Sequence, residues 1–357
     1  MLTRLLAALT LIGSTAVAPA AEPEKSPIAP RTVTLTQPGT VAEAAGELGK
    51  QAGIPVTVDP KLAAAKATAK FNKVPFWTAL EALARQTDAR IAVHDGGRRI
   101  ALEPRGNSRE ASSVFGPFRT VARQVLIKFD LESGQIAYSV QLDAHWEPRF
   151  PVFRITSAPQ VTKATDDRGT DLTPTAAKAF TQPTGAAHAL EPVRLGGLTR
   201  DSRAITVLSG SYTVTAAEKM LAFRFDDLAG KLPAAAAPQE GVTATLRGIT
   251  KDETTWVVEV ELNYPPGQPH FESFEEAAWL TQNRLQLVPP GGGKAFAPDD
   301  HQILETGRRV VAVYRFKEDP GKGLANPKAK GWSLVYETPS PLVEFPVRFE
   351  LTDIPLP

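Results

Sequence analysis

The chain has no cysteine among its 357 residues, which excludes disulfides, thiolate metal sites and a cysteine nucleophile. Histidine is scarce as well. The five stand at 94, 145, 188, 270 and 301, and no two share the H-x-H, H-x-x-x-H or H-E-x-x-H spacing that a zinc site draws on. Charge of either sign is not in excess: 40 Lys and Arg nearly cancel 39 Asp and Glu, so the basic footprint of a nucleic-acid binder is absent. No apolar run after the first twenty residues is long enough to span a bilayer. No G-x-S-x-G occurs, and Pro289 to Lys294 is followed by Ala295, not by the Ser or Thr of a phosphate loop. Nowhere do acid, base and nucleophile gather at a recognisable spacing. The sequence therefore predicts neither a catalytic site nor a bound metal or cofactor.

What is present begins with an address. Arg4 supplies a positive start, Leu5 to Ala18 is a short apolar run, and Ala18-Pro19-Ala20 offers a small-x-small cleavage pattern. Residues 1–20 are expected to be a signal peptide, with a periplasmic or extracellular mature chain. Residues 21–31, polar and bearing proline, are expected to form a flexible leader.

Residues 32–104 then say nearly the same thing twice, 35 positions apart. Val41, Leu48, Val56 and Val58 correspond to Phe76, Leu83, Ile91 and Val93. Thr40 with Glu43 reads as a capping box, and Val41, Ala44, Ala45, Leu48 and Ala52 as one apolar helical stripe ended by Gly53. Phe76, Ala79, Leu80 and Leu83 give the second stripe. Asp95-Gly96-Gly97 reads as a hairpin turn. Strand–helix–strand twice over predicts a small sheet covered by two helices.

The run from Lys73 to Thr87 (KVPFWTALEALARQT), followed by the strand Ala89 to Val93, resembles the short N-terminal domain of secretins and TonB-dependent receptors. The stretch from Val41 to Asp59 resembles the preceding unit. The resemblance implies an envelope-located protein-interaction module at 32–104. No secretin or receptor barrel follows it, so it does not extend to a pore or transporter.

After a polar linker at 105–115 the texture changes to alternating strands. Val125, Ile127, Phe129 and Leu131, then Ile136 to Trp146, predict a long hairpin whose apolar face must pack on another sheet. Thirty-one prolines and 26 glycines suit such a turn-rich β chain. A second copy is expected after a linker at 233–240, because Trp256, Val258, Val260 and Leu262 repeat the long strand. The endings also agree: Leu221 to Leu228 echoes in Phe345 to Leu351. The expected fold class is mainly β and multidomain: the small α+β domain, a β-sandwich at 116–232 and a related β-sandwich at 241–357. His270 to Trp279 is the best helical interruption. Pro346, which cannot donate to a ladder, predicts an edge strand.

Candidate sites follow from chemistry. Trp77, Arg98 and Arg99 are candidate contacts for an envelope protein partner. Trp279 and Trp332 are candidate sugar-stacking residues for the rival reading, a carbohydrate- or peptidoglycan-binding sandwich. Trp146 and Trp256 lie in phase with apolar faces and are expected in cores. Asp166 to Asp171 and Asp299 to His301 are the two stretches with any metal-ligand flavour. The expected role is non-enzymatic protein–protein interaction or scaffolding with the doubled module at 32–104 as the docking piece, through a helix groove or an open sheet edge.

Overall fold

The signals for the first helix are local, and they act as read. Thr40 Oγ1 accepts the Glu43 N–H at 3.2 Å, and Glu43 Oε2 accepts the Thr40 N–H at 2.8 Å, which satisfies donors that a helix start leaves without partners. Gly53 closes the helix at φ +72°, the left-handed region that glycine enters without cost. A computed structural model of the chain describes residues 26–37, 39–97, 99–134, 136–156, 158–174, 181–183, 187–190, 192–199, 201–267 and 283–357.

The N-terminal module runs β1 (Thr32–Leu35), α1 (Val41–Ala52), β2 (Val56–Val58), α2 (Pro60–Ala63), β3 (Phe71–Pro75), α3 (Phe76–Gln86), β4 (Ala89–His94) and β5 (Arg99–Pro104). The apolar stripes of α1 and α3 meet in one core with Val33, Ile91, Ile100 and Leu102. Two small sheets form where one was expected. β1 pairs antiparallel with β3, while β2 and β4 flank β5, the first parallel and the second antiparallel. Strands of the two halves that precede a helix pair with each other, and those that follow a helix both take the strand after the hairpin turn.

The β portion begins with β6 (Ala111–Phe115), β7 (Phe118–Phe129), β8 (Ile136–Trp146), β9 (Val152–Thr156), β10 (Gln160–Asp166), β11 (Thr181–Pro183), β12 (Ala187–Ala189), β13 (Val193–Leu195) and β14 (Ala204–Ala217). It continues with β15 (Met220–Asp226), β16 (Ala234–Ala235), β17 (Thr243–Asp252), β18 (Thr255–Asn263), β19 (Arg284–Val288), β20 (Asp300–Glu305), β21 (Arg309–Lys317) and β22 (Ser333–Pro339), and closes with β23 (Leu342–Pro355). The chain is mainly β and multidomain, as composition and alternation predict.

The expected boundary between the sandwiches does not follow the sheets. β15, expected to complete the first sandwich, pairs with β22 in the second; β23, expected to complete the second, pairs with β14 in the first. The two similar endings are thus exchanged. Phe223 and Phe225 lie in a core with Trp256, Val258 and Phe316, while Val347 and Phe349 lie in one with Val140, Leu142 and Tyr212. The second sandwich is an insertion between β14 and β23. Its sheets are β15–β22–β19 and β16–β17–β18–β21–β20. Near Ala217 both edges of β14 are taken in the folded chain, by β23 and by β9. The chain runs on through Glu218 and Lys219 into β15. Register stays constant from Ala204↔Pro355 through Ala217↔Leu342 and Met220↔Pro339 to Asp226↔Ser333. One antiparallel ribbon is shared by both sandwiches.

Three segments expected to be loose are built in. Ile28 is buried in the first sandwich's core, and Arg149 donates to the Ala29 carbonyl at 2.8 Å, so residues 26–31 are docked. Ala111–Phe115 of the expected first linker is β6, and Ala234–Ala235 of the expected second linker pairs with β17. The two linker pieces spend their backbone groups on sheet edges, and the leader spends its own on Glu147, Arg149 and the Phe76 N–H, which polarity alone does not disclose. Pro346 does lie on an edge strand, since among the described residues β23 pairs with β14 alone. Residues 1–25 and the interruption at His270 to Trp279 lie outside the described residues.

Candidate interaction surface

The module is fixed to the first sandwich through residues that the sequence offers for other uses. Trp77 is buried, and its Nε1 donates to the Pro117 carbonyl at 3.0 Å. It is an internal anchor and not a partner contact. Four residues on, Glu81 Oε1 accepts from Arg119 Nε at 2.6 Å and from the Ser112 hydroxyl at 2.6 Å, with the Arg119 side chain only 4% exposed. On the other side of the junction Glu147 accepts the Arg31 N–H and pairs with Arg149 at 2.7 Å.

The remaining candidates disperse. Arg99 is half exposed and pairs with Asp95 at 3.4 Å, a surface contact of small energetic weight. Trp332 is core, tilted against Phe296 at 6.0 Å between ring centroids, so it presents no face to a sugar. Trp146 and Trp256 are core as expected. Arg98 and Trp279 lie outside the described residues. Asp166 spends its carboxylate on a turn, accepting from the N–H groups of Arg168 and Thr170 and from the Ser202 hydroxyl. Asp299 accepts the Lys317 N–H, and Asp300 pairs with Arg315. Among the described residues no group of three or more metal-ligating side chains converges.

His145 is buried on β8. Burial, then the charges of Arg119 and Arg123, push its pKa down to about 3. The imidazole is neutral throughout the physiological range and is not poised for proton transfer. Unfolding restores the ordinary value, so its stabilising contribution is complete above about pH 6.5 and is lost as pH falls from there toward 3. His145→Gln should flatten this part of the stability profile. The contribution removed amounts to about 2 kcal/mol at about pH 5, a window above the carboxylates, and urea melts across it would read the slope. An unchanged slope would show that some other group carries the acid sensitivity.

The surface that stands out is the β7–β8 hairpin. β6 accompanies β7 only as far as Ala122; a register shift follows at Arg123, and β7 runs on to Phe129 with β8 on one side and no ladder partner on the other among the described residues. Beyond Val125 the β7 arm of the hairpin outruns the sandwich, while β8 stays paired with β13 as far as Tyr138. Val140 and Leu142 remain in the core, while Leu126, Ile127, Phe129 and Leu131 are 44, 47, 51 and 87% exposed. The expectation that this hairpin buries its whole apolar face holds only for its lower half. The tip is nevertheless tightly made. Asp130 Oδ1 accepts the N–H groups of Glu132 and Ser133, Gly134 N–H returns to the Asp130 carbonyl, and Gly134 sits at φ +67°. The Ser133 and Glu132 bonds hold the Asp130 carboxyl below its usual range. Beneath Ile127, Phe129, Ile136 and Tyr138 lies a cavity of about 460 Å³ floored by Thr199, Ser202, Leu356 and Pro357. Comparison with protein-family models, with curated proteins and with solved structures gives no match to this chain.

Proposed function

We propose that the chain is a non-enzymatic, exported envelope protein that mediates protein–protein interaction or scaffolding, with the β7–β8 hairpin as its contact element. One observation carries this reading: a well-formed turn holds Leu126, Ile127, Phe129 and Leu131 in water together. Exposed apolar residues scattered singly mean little, whereas a contiguous set on an ordered scaffold with an unpaired strand edge is what protein contacts use. The resemblance of residues 32–104 to the secretin and TonB short domain supports an envelope location. Docking is assigned to the hairpin because the Trp77 face of the module is occupied by its own sandwich. The carbohydrate reading is left without its described aromatic, since Trp332 is interior.

The test is in-cell photo-cross-linking from position 129 of the full-length protein. A protein adduct is expected there, reduced at least tenfold by Leu131→Asp with Ile127→Asp. Adducts no stronger than those from an exposed polar position such as Lys231 would remove the hairpin from consideration.

A further inference from the structure

With the hairpin taken as a protein-contact surface, on which the following rests, we infer that its occupant is a second copy of this chain, the two β7 edges pairing antiparallel about a two-fold axis through Ile127. Such an axis must run perpendicular to the joined sheet, and it sets one residue of β7 directly opposite its own counterpart. The free edge runs from Gln124 to Phe129, which leaves Leu126 or Ile127 for that position. Centring on Leu126 would place Phe129 against Arg123. Centring on Ile127 joins like to like: Ile127 meets Ile127 of the second copy and Val125 meets Phe129 of the second copy. All of these belong to the face that β7 shares with Tyr138 and Ile136. Val125, Ile127 and Phe129 of the two copies become one stripe across the joined sheet, while Leu126 lies on the opposite face.

Charge supports the same register. The hairpin tip carries Asp130 and Glu132 beyond the single cation Lys128. Pairing about Ile127 brings Asp130 of the second copy opposite Gln124 and its neighbour Leu131 opposite Arg123. That end of the edge opens on a crevice of about 420 Å³ lined by Arg109, Glu110, Arg123 and the terminal Pro355 to Pro357. Arg123 is engaged by Glu110 and by Asp143, each at 2.9 Å, and the Arg109 guanidinium is exposed beside them. The acidic tip thus comes beside the exposed Arg109 guanidinium, and the two-fold repeats the contact. Lys128 is the only charge on an edge that natural proteins usually blunt with several.

The cysteine-free chain makes the test direct. In the full-length protein, Ile127→Cys is expected to give a disulfide-linked dimer under mild oxidation. Its yield should be at least tenfold above that of Leu304→Cys, which places the thiol on another strand at similar exposure. Unmodified protein at tens of micromolar should sediment with the mass of two chains. Ile127→Lys, which sets two ammonium groups opposite each other, should sediment as one chain and still melt in one cooperative transition, at a midpoint lowered only by the loss of association. A monomeric wild type whose Ile127→Cys variant cross-links no better than Leu304→Cys would overturn the second copy as occupant. If position 129 then still photo-cross-links a different protein, the contact surface stands and only its occupant is wrong. If it cross-links nothing, both fall.

Discussion

A chain in which Asn-Gly replaces residues 218–341 is expected to fold its N-terminal module and first sandwich, whereas a chain stopped after Leu232 is expected to lose that sandwich. The two deletions are nearly equal in length, and the truncation does the greater damage because it removes β23. Phe345, Val347, Phe349, Leu351 and Ile354 are all buried in the first sandwich. At about 1.5–3 kcal/mol for each large apolar side chain, their loss approaches roughly 10 kcal/mol, comparable with the whole stability of an ordinary domain at about 5–15 kcal/mol. The excision keeps them. Ala217 and Leu342 are paired residues, so a two-residue Asn-Gly loop closes β14 and β23 as a hairpin in their native register. Phe153, which packs into the second sandwich's core, is uncovered and lowers the midpoint without abolishing cooperativity. Thermal melts followed by near-ultraviolet circular dichroism would decide. Equal, cooperative melting of both chains would show that β23 does not complete the first sandwich.

The second large effect lies where the module meets that sandwich. Glu81→Gln should destabilise the protein by about 3 kcal/mol at neutral pH, since breaking a buried pair strands the remaining charge. Arg119, with its side chain 4% exposed, is the group stranded. The dependence on acid fixes the cause. Burial pushes the Glu81 carboxyl up, but the charge of Arg119 and the hydrogen bonds from Ser112 and Arg119 outweigh it and leave the pKa lowered. A lowered folded-state value contributes stability that is complete above the ordinary carboxylate range and is lost as pH falls through it and below. The gap between wild type and Glu81→Gln should therefore narrow steadily below about pH 4.5 in urea titrations. Replacing Glu81 and Arg119 together by Met should restore part of the loss, because no charge is then left buried. A gap that ignores pH would mean that the cost is one of packing.

How much of this was legible in the sequence depends on the distance between interacting residues. The capping box of Thr40 and Glu43, the Gly53 stop and the apolar stripes are settled within a few positions, and they form as read. Trp77 reads as a partner contact in the sequence because its acceptor, the Pro117 carbonyl, lies 40 residues away. Trp332 reads as a sugar contact for the same reason. Its ring neighbour Phe296 comes from another strand connection, invisible to local phase. The exchange of β15 and β23 was hidden by the very similarity that suggested a repeat: two strands with the same apolar alternation fit either sheet, and only the pairing along β14 tells them apart. The hairpin shows the limit most clearly. Val125, Ile127 and Phe129 share one period, yet nothing in that period tells where the opposing sheet stops.

The inserted sandwich also sets an order of assembly. A chain made from its amino end holds every strand of the inner sandwich once Ser333–Pro339 has emerged, but the outer one still lacks Leu342–Pro355. The part begun first is thus the last to close, and until then β14 waits with one side bare.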